Sequence, residues 1–119
     1  MNKIRGQHLV IDAYGIASEK LKDKQLIKDL LEKLPGRFRM RALGRAVLRK
    51  IQTPGYPDWG FSGFVILYES HVSIHTWPEE GYVAMDIYSC KDFDHKKIVA
   101  YLKKFWRARL FKTRVISRG

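Results

Sequence analysis

Hydrophobic and polar positions change period several times along the chain, and each change marks an element. The run GQHLVIDAYG, residues 6–15, is mostly apolar and reads as a well-covered strand. In SEKLKDKQLIKDLLEKLPG, Leu26, Ile27, Leu30, Leu31 and Leu34 fall on one stripe at helical spacing. This predicts a helix opening at a Ser18 N-cap and stopping at Pro35-Gly36. From residue 37 to 50 the period drops to two. Arg37, Arg39, Arg41, Arg45 and Arg49 share one face, and Phe38, Met40, Ala42, Ala46 and Leu48 the other, as in a strand with one solvated side. QTPGYPDWGFSG, residues 52–63, is rich in proline and glycine and reads as a loop. Its aromatics Tyr56, Trp59 and Phe61 are costly to expose, which favours a cap on the core over a pocket lining.

Three further strands follow at 64–69, 71–77 and 82–89, the last two joined by a turn at PEEG, residues 78–81. DFDHKKIVAYLKKFW supplies a second helix with Ile98, Tyr101, Leu102 and Phe105 on one side, and residues 109–117 close the chain as a strand. HLVIDAYG and YVAMDIYS echo each other in register, matching Asp12 with Asp86 and Tyr14 with Tyr88, and each precedes an amphipathic helix and a basic strand. The expected fold is α+β. It is a single two-layer domain over residues 1–119, a mainly antiparallel sheet carrying two helices on one face in pseudo-repeated β-α-β units. The bare face of such a sheet needs cover, which a second subunit supplies.

Composition narrows the class. With 45% hydrophobic and 29% charged residues, 119 residues suit one folded domain and argue against disorder. No run approaches the roughly 18–20 apolar residues of a membrane span. MNKIRGQHLV lacks a signal-peptide pattern, and a single cysteine makes no internal disulfide, so a cytoplasmic protein is expected. The net charge of +11 speaks first to a solvated surface, and the one asparagine and three glutamines match the amide economy of heat-adapted proteins. A nucleic-acid-binding module built on the arginine strand is the alternative of another class. It predicts salt-sensitive binding and an intact chain, but the arginine face carries no aromatics for stacking on bases.

Candidate chemistry lies along the hairpin closed by the 78–81 turn. With Trp77 opposite Tyr82, Ser70 falls across from Ser89 and diagonal to Cys90, close enough to share a site. His75 has the opposite parity to Ser70, so a bulge or turn near Ser70 is required to bring imidazole and hydroxyl together. His71 and His75 share a face but lack a third metal ligand. Cys90 with a histidine suits a thiol hydrolase, and a buried, inert cysteine is the plain alternative.

ESHVSIHTWPEEGYVAMDIYSC resembles the processing segment of the prokaryotic-type S-adenosylmethionine decarboxylase proenzymes, the small pyruvoyl enzymes of spermidine and polyamine synthesis. The Glu-Ser-His junction, the Ser-Ile-His-Thr-Trp-Pro-Glu run, Gly-Tyr, an acidic residue and the cysteine stand at the family spacing; HLVIDAY and FSG also fit. The resemblance implies autocatalytic cleavage of a zymogen between Glu69 and Ser70, leaving a β chain of 1–69 and an α chain of 70–119. It makes Ser70 the nucleophile and pyruvoyl precursor, His75 the proton acceptor in processing, Ser62 an assisting residue and Cys90 the proton donor in decarboxylation. Serine suits the role because its β-hydroxyl attacks the preceding carbonyl and then leaves, and histidine suits the elimination because its pKa lies near neutrality.

The pyruvoyl carbonyl is expected to form a Schiff base with S-adenosylmethionine, which then loses CO2 into that electron sink. By the same resemblance Glu79 meets the ribose hydroxyls, Tyr56 stacks on adenine and Trp77 flanks the pocket, although TPGYPDWGF differs from the commoner family loop. A homodimer with sites at or near the subunit interface is implied, with no metal and no separate cofactor. A paralogous pyruvoyl-dependent arginine decarboxylase on the same scaffold is the nearest alternative; SIHTWPEEGY favours the nucleoside substrate.

Overall fold

The computed structural model describes residues 4–119. In chain order the elements are β1 (Gly6–Tyr14), α1 (Ser18–Leu21), α2 (Lys24–Arg37), β2 (Val47–Gln52), β3 (Trp59–Ile66), β4 (Ser70–Trp77), a 3-10 turn (Pro78–Glu80), β5 (Tyr82–Ser89), α3 (His95–Trp106) and β6 (Leu110–Arg118). The strands form one antiparallel sheet in the order β2-β3-β4-β5-β1-β6, so the α+β, two-layer expectation holds. No helix among the described residues is long and apolar enough to cross a membrane.

Three local expectations need correction. The first helix is two helices, because the Asp23 carboxylate accepts from the Leu26 N–H at 3.0 Å and starts α2 afresh, while Ser18 makes no side-chain cap. Pro35 and Gly36 lie inside the last turn of α2, and the Phe38 and Met40 N–H groups both turn back to the Pro35 carbonyl. The strand expected over 37–50 shrinks to Val47–Gln52. Arg39 (φ 61°) and Gly44 (φ 85°) are left-handed and break the extended run, which pairs only through Ala42 and Leu67. Its alternation was real as burial: Met40, Ala46 and Leu48 point into the core and the arginines into solvent. The loop expected over 52–63 also shortens, since β3 begins at Trp59.

The core lies between the sheet and the helices. Leu9, Ile11, Val65, Val72, Ile74, Met85 and Ile87 from the strands meet Ile27, Leu31, Leu34, Ile98, Leu102 and Trp106 from α2 and α3, all of them buried. Among the described residues the opposite sheet face carries no helix: Phe64, Ile66 and Trp77 stand 41%, 50% and 41% exposed there. The internal echo is partly a symmetry. Ile11 faces Met85 across the β1–β5 ladder, and these are also equivalent positions in the echo, so a local twofold runs between them. The His8–Asp86 hydrogen bond (2.9 Å) and the Tyr82–Asp12 hydrogen bond are counterparts under it. The symmetry stops at the outer strands, because β6 sits beside β1 whereas β4, not β2, sits beside β5.

At one end β3 is held off β4. Their ladder ends at Ser62 and His75, and beyond it the buried Thr76 hydroxyl accepts from the Phe61 N–H (2.9 Å) and donates to the Leu21 carbonyl (3.1 Å). Gly60 lies so near the Thr76 carbonyl that any Cβ there collides with it. Thr76→Val keeps the shape and strands two buried polar groups, so it is expected to lower unfolding stability by about 1–3 kcal/mol in chemical denaturation. A loss below ~0.3 kcal/mol contradicts this role for the hydroxyl.

Candidate active site

The side chains singled out in the sequence fall into two groups. In the first, β3 and β4 set Ser62 directly opposite His75, and the Ser62 Oγ and His75 Nδ1 lie 2.8 Å apart. This pair borders a cleft of about 260 Å³ whose wall also includes Tyr56, Trp59, Trp77 and Glu79. Trp77 is stacked on Tyr82 (4.8 Å between centroids) and Tyr82 on Tyr14 (4.9 Å), so the indole is braced from behind and keeps its other side free. The Lys22 ammonium stands 3.5 Å from the Glu79 carboxylate, and the Lys50 ammonium lies 4.5 Å from the Trp59 ring centroid. Tyr56 is 67% exposed and lines the cleft rather than capping the core; of the three loop aromatics only Phe61 is buried.

The second group is at the far end of β4. Ser70 lies across from the fully buried Ser89, as the hairpin register requires, and Cys90 follows the last residue of β5. The Cys90 N–H donates to the Glu69 carbonyl at 3.0 Å, the carbonyl that immediately precedes Ser70. Cys90 is exposed, which removes the reading of an inert core thiol. Glu69 is a buried carboxylate, 8% exposed, and its Oε1 accepts from the Arg41 N–H at 3.0 Å. That hydrogen bond, with smaller help from the charges of Arg41 and Lys91, outweighs desolvation and holds its pKa below the usual carboxylate range.

The two groups do not meet within one chain. The β4–β5 ladder runs unbroken from Ser70 to Trp77, so the bulge needed to join Ser70 with His75 is absent. Five residues of regular strand separate them by about 16 Å and turn them to opposite faces. The pattern reading also missed Arg41, the Trp59–Lys50 contact and the pairing of His8 with Asp86. Parity alone places Asp12, Asp86, Ser73, His75 and Trp77 on the uncovered face. Their partners depend on strand order, which no local signal carries.

A family model described as S-adenosylmethionine decarboxylase matches residues 7–119. An S-adenosylmethionine decarboxylase proenzyme of Clostridium botulinum (strain Langeland) is 45% identical over 103 residues, 86% of this chain and 84% of that one. One from Persephonella marina is 34% identical over 120 residues, 100% of this chain and 86% of that one. The crystal structure of the adenosylmethionine decarboxylase from Aquifex aeolicus matches with a TM-score of 0.82 at 30% identity, over 99% of this chain and 93% of that one.

The depressed pKa of Glu69 has a testable sign. In a Ser70→Ala background, the melting-temperature advantage of Glu69 over Glu69→Gln is expected to be full above about pH 5 and to close as pH falls through the lowered native pKa. A gap that stays constant from about pH 6 down to about pH 2 contradicts a charged, hydrogen-bonded carboxylate.

Proposed function

This chain belongs to the S-adenosylmethionine decarboxylase family, and on that footing we propose that it is a self-processing, pyruvoyl-dependent decarboxylase acting on S-adenosylmethionine. The observation that carries the processing step is the Glu69–Ser70 junction, where the Cys90 N–H already engages the acyl oxygen that attack makes negative. Residues 1–119 act as one domain that divides into chains of 1–69 and 70–119.

The Ser70 Oγ adds to the Glu69 carbonyl carbon, the C–N bond breaks, and an ester replaces the amide. A base then takes the Ser70 Cα proton, and the Cβ–O bond breaks with its electron pair leaving on the new main-chain carboxylate of Glu69. The dehydroalanine left behind shifts to its imine, and water releases ammonia to give a pyruvoyl group at residue 70. The residues fit that product, since Ser70 carries the required β-hydroxyl and its acyl partner is held in place. The mature group supplies a carbonyl that accepts the substrate amine and draws off the electrons of the breaking C–C bond.

His75 is assigned the proton transfer in processing. Its Nδ1 is engaged with the Ser62 Oγ, which orients the ring and leaves Nε2 for the Cα proton. Cys90, an exposed thiol beside the junction, is assigned the proton returned to the substrate carbon after decarboxylation. The cleft recognises the nucleoside: Tyr56 and Trp77 offer aromatic faces to adenine and to the sulfonium, and Glu79 accepts from ribose hydroxyls. Asp58, Glu79 and Glu80 around it place negative charge on a chain of net charge +11, which suits a cationic sulfonium substrate.

The separation of Ser70 from His75 supports a homodimer whose uncovered sheet faces meet, so that the Ser62–His75 pair of one protomer works on the junction of its partner. The exposed Phe64, Ile66 and Trp77 on that face favour such burial. The alternatives of arginine as substrate or of nucleic-acid binding find no support among the relatives reported above.

Mass spectrometry of purified protein is expected to find two fragments split after Glu69, the smaller lacking a free amine, while Ser70→Ala stays whole. Persistence of an uncut native chain overturns the reading, as does CO2 release from arginine and not from S-adenosylmethionine. For the shared site, Ser70→Ala and His75→Ala chains are each uncut alone. On co-expression each mixed dimer holds one complete site, the His75 of the Ser70→Ala chain facing the Ser70 of its partner, so the His75→Ala chain is expected to be cut. Failure of that rescue contradicts a site drawn from both protomers.

A further inference from the structure

The side chain of Glu69 is an odd resident of its position. A buried carboxylate costs desolvation that an apolar residue avoids, and this one is met by a backbone N–H rather than by a close ion pair: Arg41 Nε stands 3.7 Å from Oε2. Glu69 is therefore gripped at two points by two different segments. Its acyl oxygen accepts from Cys90 at the end of β5, and its carboxylate accepts from Arg41 in the strap between α2 and β2.

The strap is itself tied down around that point. The Leu43 N–H donates to the Ile66 carbonyl (2.7 Å), the Tyr68 N–H to the Arg41 carbonyl (3.0 Å), and the Lys91 ammonium to the Arg39 carbonyl (2.9 Å). The Arg41 guanidinium lies 4.7 Å from the Tyr68 ring centroid. Every residue from Ile66 to Glu69 thus has a contact to the strap, and the last one before Ser70 is made by a side chain.

We propose that the Glu69 side chain is a positioning residue for self-cleavage, locking the Glu69–Ser70 peptide between the strap and β5 so that one face of its carbonyl stays presented to the Ser70 hydroxyl. This rests on the self-cleavage reading above. The carboxylate transfers no proton: engaged by the Arg41 N–H and held ionised, it is a weak base, and its effect is on the aim of the acyl carbon. Without that grip the acyl group turns about its own torsions, and loss of alignment of about 1 Å in a reacting pair costs on the order of 10²-fold in rate.

The test is the first-order rate of conversion of freshly made chain to its two fragments, followed by mass spectrometry at neutral pH. Glu69→Ala is expected to slow conversion about 10²-fold with an unchanged circular dichroism spectrum. Glu69→Gln keeps an acceptor oxygen at the same reach and is expected to recover conversion to within about fivefold of native, which a role in stability alone does not predict. Arg41→Ala, which deletes the guanidinium and keeps the N–H, is expected to slow conversion threefold at most. Should Glu69→Ala fail to fold, Glu69→Asp keeps the charge but falls short of Arg41 and is expected to convert at least tenfold slower than native. Conversion of Glu69→Ala or Glu69→Asp within about twofold of native overturns the proposal, as does equal slowing by Gln and Ala, or by Arg41→Ala and Glu69→Ala. A native chain that never converts overturns the self-cleavage reading itself, and this proposal with it.

Discussion

The register of the β4–β5 hairpin is the constraint on which the candidate chemistry depends. Pairing Trp77 with Tyr82 sets Ser70 against Ser89 and brings the Cys90 N–H to the Glu69 carbonyl, each eight residues from the pair that closes the turn. Strand side chains alternate, so a slip of one residue sends His75 and Trp77 into the core and Val72 and Ile74 into solvent. The register is secured from both ends. Gly81 adopts φ 61° to close the Pro78–Glu80 turn, and Val72, Ile74, Met85 and Ile87 are wholly buried beneath the helices. The hydrophobic core thus does for the junction what no contact at the junction could do alone.

The same sheet separates duties by face. The helix side is apolar and rigid, while the bare side carries Ser62, His75, Asp12, Asp86 and Tyr82, each with a polar or aromatic partner from a neighbouring strand. The local twofold between Ile11 and Met85 doubles the carboxylate contacts, His8 on Asp86 and Tyr82 on Asp12. Burial and the adjoining Asp12 carboxylate together raise the Tyr82 phenol well above its ordinary pKa, so it stays a donor at any physiological pH. That face thus combines partnered polar groups with the exposed side chains of Phe64 and Ile66.

Local patterns carried much of the architecture because they report on single elements. The Leu26–Leu34 stripe, the hairpin arithmetic from Trp77–Tyr82 and the inward parity of Met40, Ala46 and Leu48 all depend on near neighbours, and the fold agrees with each. Where local signals competed, they misled. The Asp23 cap outweighed Ser18, and two left-handed residues broke an alternation that looked like a strand. Parity also showed that Ser70 and His75 face apart, since it needs only their separation in sequence.

What no pattern contained was the set of meetings between distant segments. Arg41 and Glu69 are 28 positions apart and His8 and Asp86 are 78, and both contacts exist only because of the path of the strap and the placement of β1 beside β5. Element identity and residue parity follow from backbone geometry within a few residues, so the amino-acid order expresses them directly. Strand order and the course of irregular segments follow from how all the buried faces fit together at once, and they decide which donor reaches which carbonyl.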